Sequence, residues 1–232
     1  VHCPECVAEA KRSAPKRKPA IVTAFRKNSS TPVVTLTIIA INLVVFALQF
    51  ITNDAITGLL LYRPVYTFVE PWTMMTSLFI HGSVFHVGLN MLALYLFGPV
   101  LESLLGRARY LALYLLSGFG GSVAVLWFSD PLGGVLGASG AIFGLLGAFF
   151  VIQRKLGTNS VQLLIVLGLN LAMGFFIPGI SWQAHVGGVI VGAAIALIYL
   201  RTRRPAQSRL QIVLLSGVVV ALLVATALRL VF

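Results

Sequence analysis

Gly137-Ala138-Ser139-Gly140-Ala141-Ile142-Phe143-Gly144-Leu145-Leu146-Gly147-Ala148-Phe149-Phe150-Val151-Ile152-Gln153-Arg154-Lys155 is an apolar run that opens on a serine and closes on two cations. Between Ala138 and Gln153 the only polar side chains are Ser139 and Gln153 themselves. Six further runs of this kind follow from the hydropathy pattern: Val33–Thr52, Val84–Leu105, Tyr110–Phe128, Ser160–Ile177, Trp182–Leu200 and Ile212–Leu228. A transmembrane helix takes roughly 20 apolar residues, so seven spans consume most of a 232-residue chain.

Composition points the same way. The chain is 58% hydrophobic and only 10% charged, with a mean hydropathy of +0.96. A soluble domain carries about 25% charged residues. A soluble globular protein, a disordered chain and a disulfide-stapled module are therefore excluded. The expected fold is all-α: a polytopic membrane helical bundle of six core transmembrane helices plus one C-terminal helix.

The net charge of +11 reads as the positive-inside bias of a membrane protein rather than as affinity for nucleic acid. With the N-terminus inside, fifteen of the 17 cations fall on four alternate regions: the N-terminal tail, Arg107 with Arg109, Arg154 with Lys155, and Arg201 to Arg209. One span too many or too few would reverse every later loop. The expected topology is a multi-pass protein of the cell membrane with a cytoplasmic N-terminus and an outer C-terminus. No cleavable signal segment is expected, because the first thirty or so residues are polar and basic.

The domain expectation has three parts. Residues 1–31 form a basic cytoplasmic arm, residues 32–201 the six-helix core, and residues 202–232 a loop and the seventh helix. The two cysteines, Cys3 and Cys6, lie in the arm. Cys3-Pro4-Glu5-Cys6 is half of a zinc site, with His2 the one extra donor nearby; four ligands are usual, so no complete metal site is expected. The connection 53–83 is long and amphipathic, with Trp72, Met74, Met75 and Phe79.

Polar side chains at membrane depth are costly and mark function by default. Three groups stand out. His86 and Asn90 lie four apart on the second segment, hence on one helix face. Ser139 opens the fourth, and His185 lies near the start of the sixth. Counted from Arg154, Arg201 and Glu102, which mark the inner boundary, Ser139, His185 and His86 are 15, 16 and 16 residues away. At about 1.5 Å per residue all three stand roughly 22–24 Å above that boundary. Small residues four apart, Gly140 with Gly144 and Gly188 with Gly192, would let the fourth and sixth helices approach closely.

A serine hydroxyl needs an adjacent base to act as a nucleophile, and His185 is the candidate for Ser139. No carboxylate lies at the same depth: Asp54, Glu70 and Asp130 fall in loops and Glu102 at the opposite end. The expectation is a dyad whose imidazole is oriented by packing, with Phe143, four residues after Ser139, placed to stack on it. His86, Asn90 and the Ser139 backbone N–H are the candidate oxyanion donors. The loop glycines Gly133, Gly134 and Gly137 leave room for a substrate backbone. Gly137 and Phe143 are thus the candidate substrate-binding residues. A transporter is the competing reading, but it would place ionisable residues or broken helices at the midplane. An aspartyl membrane protease would need two intramembrane Asp, and a zinc type would need HExxH; His81 and His86 have the wrong spacing for the latter.

These residues resemble the rhomboid family of intramembrane serine proteases. The match comprises Gly137-Ala138-Ser139-Gly140, Ala184-His185-Val186-Gly187-Gly188, and His86-Val87-Gly88-Leu89-Asn90 with His81 upstream. Gly98-Pro99-Val100-Leu101-Glu102 followed by Gly106 also looks like the family's second-helix end. The resemblance covers about residues 33–201. It implies a protease without a cofactor that cuts transmembrane segments of client proteins near their outer boundary. It implies Ser139 as nucleophile, His185 as base and acid, and His86, Asn90 and the Ser139 N–H as oxyanion stabilisers. A catalytically inactive relative that binds client helices is the alternative within the family; such a protein would lack the Ser or the His. Where the family commonly has Trp-Arg in its first loop, this chain has Trp72-Thr73.

Overall fold

The structure is a computed structural model that describes residue 3 and residues 31–158, 160–177 and 179–231. The cations of the basic arm and Cys6 lie outside the described residues. The described elements, in order, are α1 (Val33–Ile51), α2 (Ala55–Leu60), α3 (Thr73–Thr76), α4 (Val84–Leu105), α5 (Arg107–Phe128), α6 (Ser139–Lys155), α7 (Val161–Phe176), α8 (Trp182–Arg201) and α9 (Ser208–Val231). No strand is present among the described residues.

Among the described residues five segments are long and apolar enough to cross a membrane: α1, α4, α5, α8 and the stretch Pro205–Arg229, which covers most of α9. The remaining two long helices are shorter, 17 residues in α6 and 16 in α7. At about 1.5 Å per residue α6 reaches roughly 26 Å, a little short of the hydrocarbon core of about 30 Å.

Backbones meet at the centre. A Cβ on Gly188 of α8 would collide with the Gly140 carbonyl oxygen of α6, and one on Gly192 with that of Gly144. On the other side of α8, a Cβ on Gly187 would stand 2.5 Å from the Gly120 carbonyl oxygen of α5. The helices α5, α6 and α8 therefore pack through glycine seams, the close approach that small residues permit in lipid.

The other helices lean on this trio. The N-terminus of α1 begins after Pro32, which offers no side-chain cap. Its orphan N–H groups are met by a carboxylate from α4. Glu102 Oε1 accepts from Val34 N (3.0 Å), and Oε2 accepts from Thr35 N (2.8 Å) and Thr35 Oγ1 (2.7 Å). A buried carboxylate is tolerable because it is so fully hydrogen-bonded and faces the positive end of a helix. Helix α9 is tied to α5 at both ends. Arg109 Nε donates to Gln211 Oε1 (2.8 Å), and Trp127 Nε1 donates to the Ala225 carbonyl (3.0 Å).

The segment 53–83 is not a plain loop. It holds α2, α3 and two 3-10 turns. Tyr62 pairs with Val135 in an isolated antiparallel bridge, which fastens this segment to the loop preceding Ser139. Tyr62 is fully buried, Met74 nearly so, and Ser122 of α5 donates its hydroxyl to the Met74 carbonyl (2.6 Å). Thr73 is also buried, with its hydroxyl on the Glu70 carbonyl (2.6 Å). The position after Trp72 thus holds a short side chain turned to its own backbone.

Candidate active site

The loop before α6 turns at Gly137, whose φ of +113° suits glycine. Its N–H donates to the Ser77 carbonyl (2.8 Å), so the 53–83 segment holds the turn from one side. Ser139 follows as the first residue of α6. The first N–H groups of a helix have no partner within it, so the backbone here offers donors beside the hydroxyl.

Helix α8 begins at the same level. Ser181 caps it, its hydroxyl oxygen accepting from Ala184 N (3.3 Å). One residue later stands His185, buried, with Nε2 3.0 Å from Ser139 Oγ. The glycine seam between α6 and α8 is what brings the pair this close. The His185 ring stacks on Phe143, with centroids 3.9 Å apart and planes 9° from parallel. Its other nitrogen, Nδ1, meets no hydrogen-bond partner among the described residues. With the proton on Nδ1, Nε2 presents its lone pair to the serine hydroxyl; no carboxylate orients the ring, and the phenyl face does.

His86 enters from the first turn of α4, which is capped by the Ser83 hydroxyl oxygen accepting from His86 N (3.1 Å). Its ring lies so close to Gly137 that a Cβ there would stand 2.7 Å from both Cε1 and Nε2. The absent side chain at Gly137 therefore makes room for His86, where the sequence suggested room for a substrate backbone. Asn90, one turn below, is buried and donates Nδ2 to the His86 carbonyl (2.9 Å). One of its two N–H bonds is thereby committed to its own helix, and an amide carries a second.

Two residues to which the sequence reading gave no role complete the surroundings. His81 is buried and sets its ring edge to face against His86, centroids 5.0 Å apart. Burial, with His86 beside it, pushes the His81 imidazole down to about 4, so it is neutral near pH 7. Gln49 of α1 grips the His81 backbone: its Nε2 donates to the His81 carbonyl (3.2 Å) and its Oε1 accepts from His81 N (2.9 Å). The available signal was a lone amide within the apolar run Leu48-Gln49-Phe50-Ile51. Among the described residues no cluster of His, Cys, Asp or Glu could hold a metal ion.

Comparison with known proteins bears on this arrangement. The Rhomboid domain family matches residues 69–202. Rhomboid protease GluP of Bacillus subtilis is 38% identical over 138 residues, which is 55% of this chain and 26% of that protein. RHOMBOID-like protein 1 of Arabidopsis thaliana is 37% identical over 138 residues, 56% of this chain and 35% of that one. Putative rhomboid protease YdcA of Bacillus subtilis is 33% identical over 152 residues, 63% of this chain and 74% of that one. The chain thus spans well under half the length of the first two and about three quarters of the third.

Proposed function

The chain belongs to the rhomboid family, and from that premise we propose that it is a serine protease that hydrolyses peptide bonds in or near transmembrane segments of client membrane proteins. The observation that carries this reading is the 3.0 Å contact between His185 Nε2 and Ser139 Oγ, with the imidazole stacked on Phe143. Ser139 Oγ attacks the scissile carbonyl carbon while its proton passes to His185 Nε2. The carbonyl oxygen becomes an oxyanion beside the Ser139 N–H, His86 and Asn90. His185 then gives the proton to the leaving amine, and the acyl-enzyme on Ser139 remains. A water, deprotonated by His185, adds to the acyl carbon, and Ser139 leaves with the proton restored.

The dyad needs no cofactor, and the partners are client helices and the bilayer itself. The charge bias supports an N-terminus in the cytoplasm, with the N-terminal ends of α4, α6 and α8 toward the outside of the cell membrane. Cleavage then falls near the outer boundary of the client segment. Residues 32–201 serve as the catalytic core, residues 1–31 as a cytoplasmic arm, and residues 202–232 as an added span.

The test is hydrolysis of a fluorogenic transmembrane substrate by the protein in liposomes. Ser139→Ala and His185→Ala are each expected to abolish turnover. His86→Ala and Asn90→Ala are each expected to lower kcat, by about 10²–10³-fold where a full oxyanion donor is lost. Undiminished cleavage by Ser139→Ala or His185→Ala contradicts the assignment. A folded wild type that binds but never cuts supports the binding-protein alternative.

A further inference from the structure

We propose that Gln49, remote from the reacting atoms on α1, is a positioning residue for the reaction: it sets His81, and through His81 the ring of His86. The inference rests on the reading of His86 as an oxyanion donor.

Gln49 is buried in an apolar membrane helix, where an amide is costly unless its hydrogen bonds are met. They are met by one backbone residue 32 positions away in the chain. The amide accepts from His81 N and donates to the His81 carbonyl, as a neighbouring β-strand would. Nε2 also donates to Thr57 Oγ1 (2.8 Å), and that hydroxyl donates to Asp54 Oδ1 (2.9 Å). The Gln49 carbonyl accepts from Asp54 N (2.8 Å), beside the two left-handed residues Asn53 and Asp54 where α1 ends. One residue therefore fastens both the start and the end of the 53–83 segment.

The fastened end bears on the site at two points. Ser77 holds the N–H of Gly137, and the His81 ring bounds that of His86, which in turn fills the space over Gly137. The five residues 77–81 thus connect the Ser139 turn to the His86 ring, and Gln49 is the peg behind them. The buried His81 ring, which the reaction steps do not use, gains a purpose as the spacer between peg and donor. Oxyanion donors act only when held in place beforehand, and a shift of about 1 Å costs on the order of 10²-fold in rate.

The experiment is a double-mutant cycle in liposomes with the fluorogenic substrate: Gln49→Leu, His86→Ala and the pair, each with kcat, KM and thermal midpoint measured. Gln49→Leu is expected to lower kcat by about tenfold or more with KM little changed. Gln49→Glu, which keeps Oε1 and in lipid carries a proton for the His81 carbonyl, recovers most of the rate. In the His86→Ala background Gln49→Leu costs markedly less, because only the hold of Ser77 on the Gly137 turn is then left to disturb. The milder Gln49→Asn provides the same cycle if the leucine variant does not fold. An equal loss from the Gln49 variant with and without His86 overturns the proposal. So does a wild-type kcat in Gln49→Leu, or a loss that merely tracks the unfolded fraction. A wild-type rate in His86→Ala instead defeats the oxyanion reading on which the inference stands.

Discussion

Helices α8 and α7 are neighbours in the chain and differ sharply in how they are held. Helix α8 meets α5 and α6 through Gly187, Gly188 and Gly192, each against a backbone carbonyl. Helix α7 buries Leu163, Leu167 and Gly174, and beside its N-terminal half lies a cavity of about 270 Å³ lined by Phe97, Phe149, Gln153, Gln162, Leu163 and Val166. Within the membrane there is no hydrophobic drive between helices, so contact distance and hydrogen bonds decide what is rigid. The tightest backbone approaches fall on the two helices that carry Ser139 and His185. Helix α7 comes near backbone at Gly174, where a Cβ would stand 3.2 Å from Trp182 Cα, and otherwise packs through side chains such as Leu163 and Leu167.

The contrast can be broken most severely at the seam. In Gly188→Val the added carbons meet the Gly140 carbonyl, which cannot retreat without moving α6. Overpacking of this kind costs about 1–3 kcal/mol or more, and a displaced α6 separates Ser139 from His185. Turnover of the transmembrane substrate is expected to vanish and the thermal midpoint to fall; normal cleavage by this variant would mean the seam does not position the pair.

Next in size is the polar clasp at the N-terminal end of α1. Glu102→Ala leaves Val34 N, Thr35 N and the Thr35 hydroxyl without their acceptor, at a cost of about 1–3 kcal/mol for each group left unpaired. Thermal unfolding in detergent should show the loss, while the kcat of the folded fraction stays near wild type, because Glu102 is at the far end of α4 from His86. A fall in kcat at full folding would join the two ends of α1 in one device.

A smaller effect follows from pH. The His81 imidazole titrates near 4 in the fold and near 6.5 when unfolded. Below pH 6.5 the unfolded chain binds the extra proton, so the stability tied to neutral His81 is complete above about 6.5 and is lost as pH falls toward 4. Thermal midpoints measured across that window should decline, and His81→Gln should flatten the decline. An unchanged slope in the variant would assign the acid sensitivity to other groups.

The smallest effect belongs to α7. A Cβ at Gly168 meets nothing within 4 Å, and alanine is the better helix former by about 1 kcal/mol or less. Gly168→Ala should leave turnover intact and raise the midpoint slightly. The same substitution at Gly192 should be damaging, and equal outcomes at the two sites would erase the distinction between seam and rim.

The seven long helices were legible because burial in lipid writes hydropathy along the sequence, and their edges fall within a few residues of the apolar runs. The shared level of Ser139, His185 and His86 was legible from counting, since helical rise converts residue number to depth. The 53–83 segment was not. Its helices of four and six residues are too short to carry a period, and Tyr62 and Val135 find each other across 73 positions of chain. Glu102 and Gln49 escaped for a related reason. Hydropathy records what a polar residue costs in an apolar run but not which distant backbone group repays it. Gly137 was read for its freedom, yet which neighbour uses the space is a tertiary matter, and here it is His86.

Activation of Ser139 by His185 is the step on which the proposed hydrolysis depends. A fluorophosphonate loses fluoride and forms a phosphonyl-serine adduct only where the hydroxyl is made nucleophilic, and mass spectrometry of the digested protein locates it. The expected result is modification of Ser139 in the wild type and its loss in His185→Ala. Labelling of a different serine, or undiminished labelling of Ser139 without His185, would contradict the account.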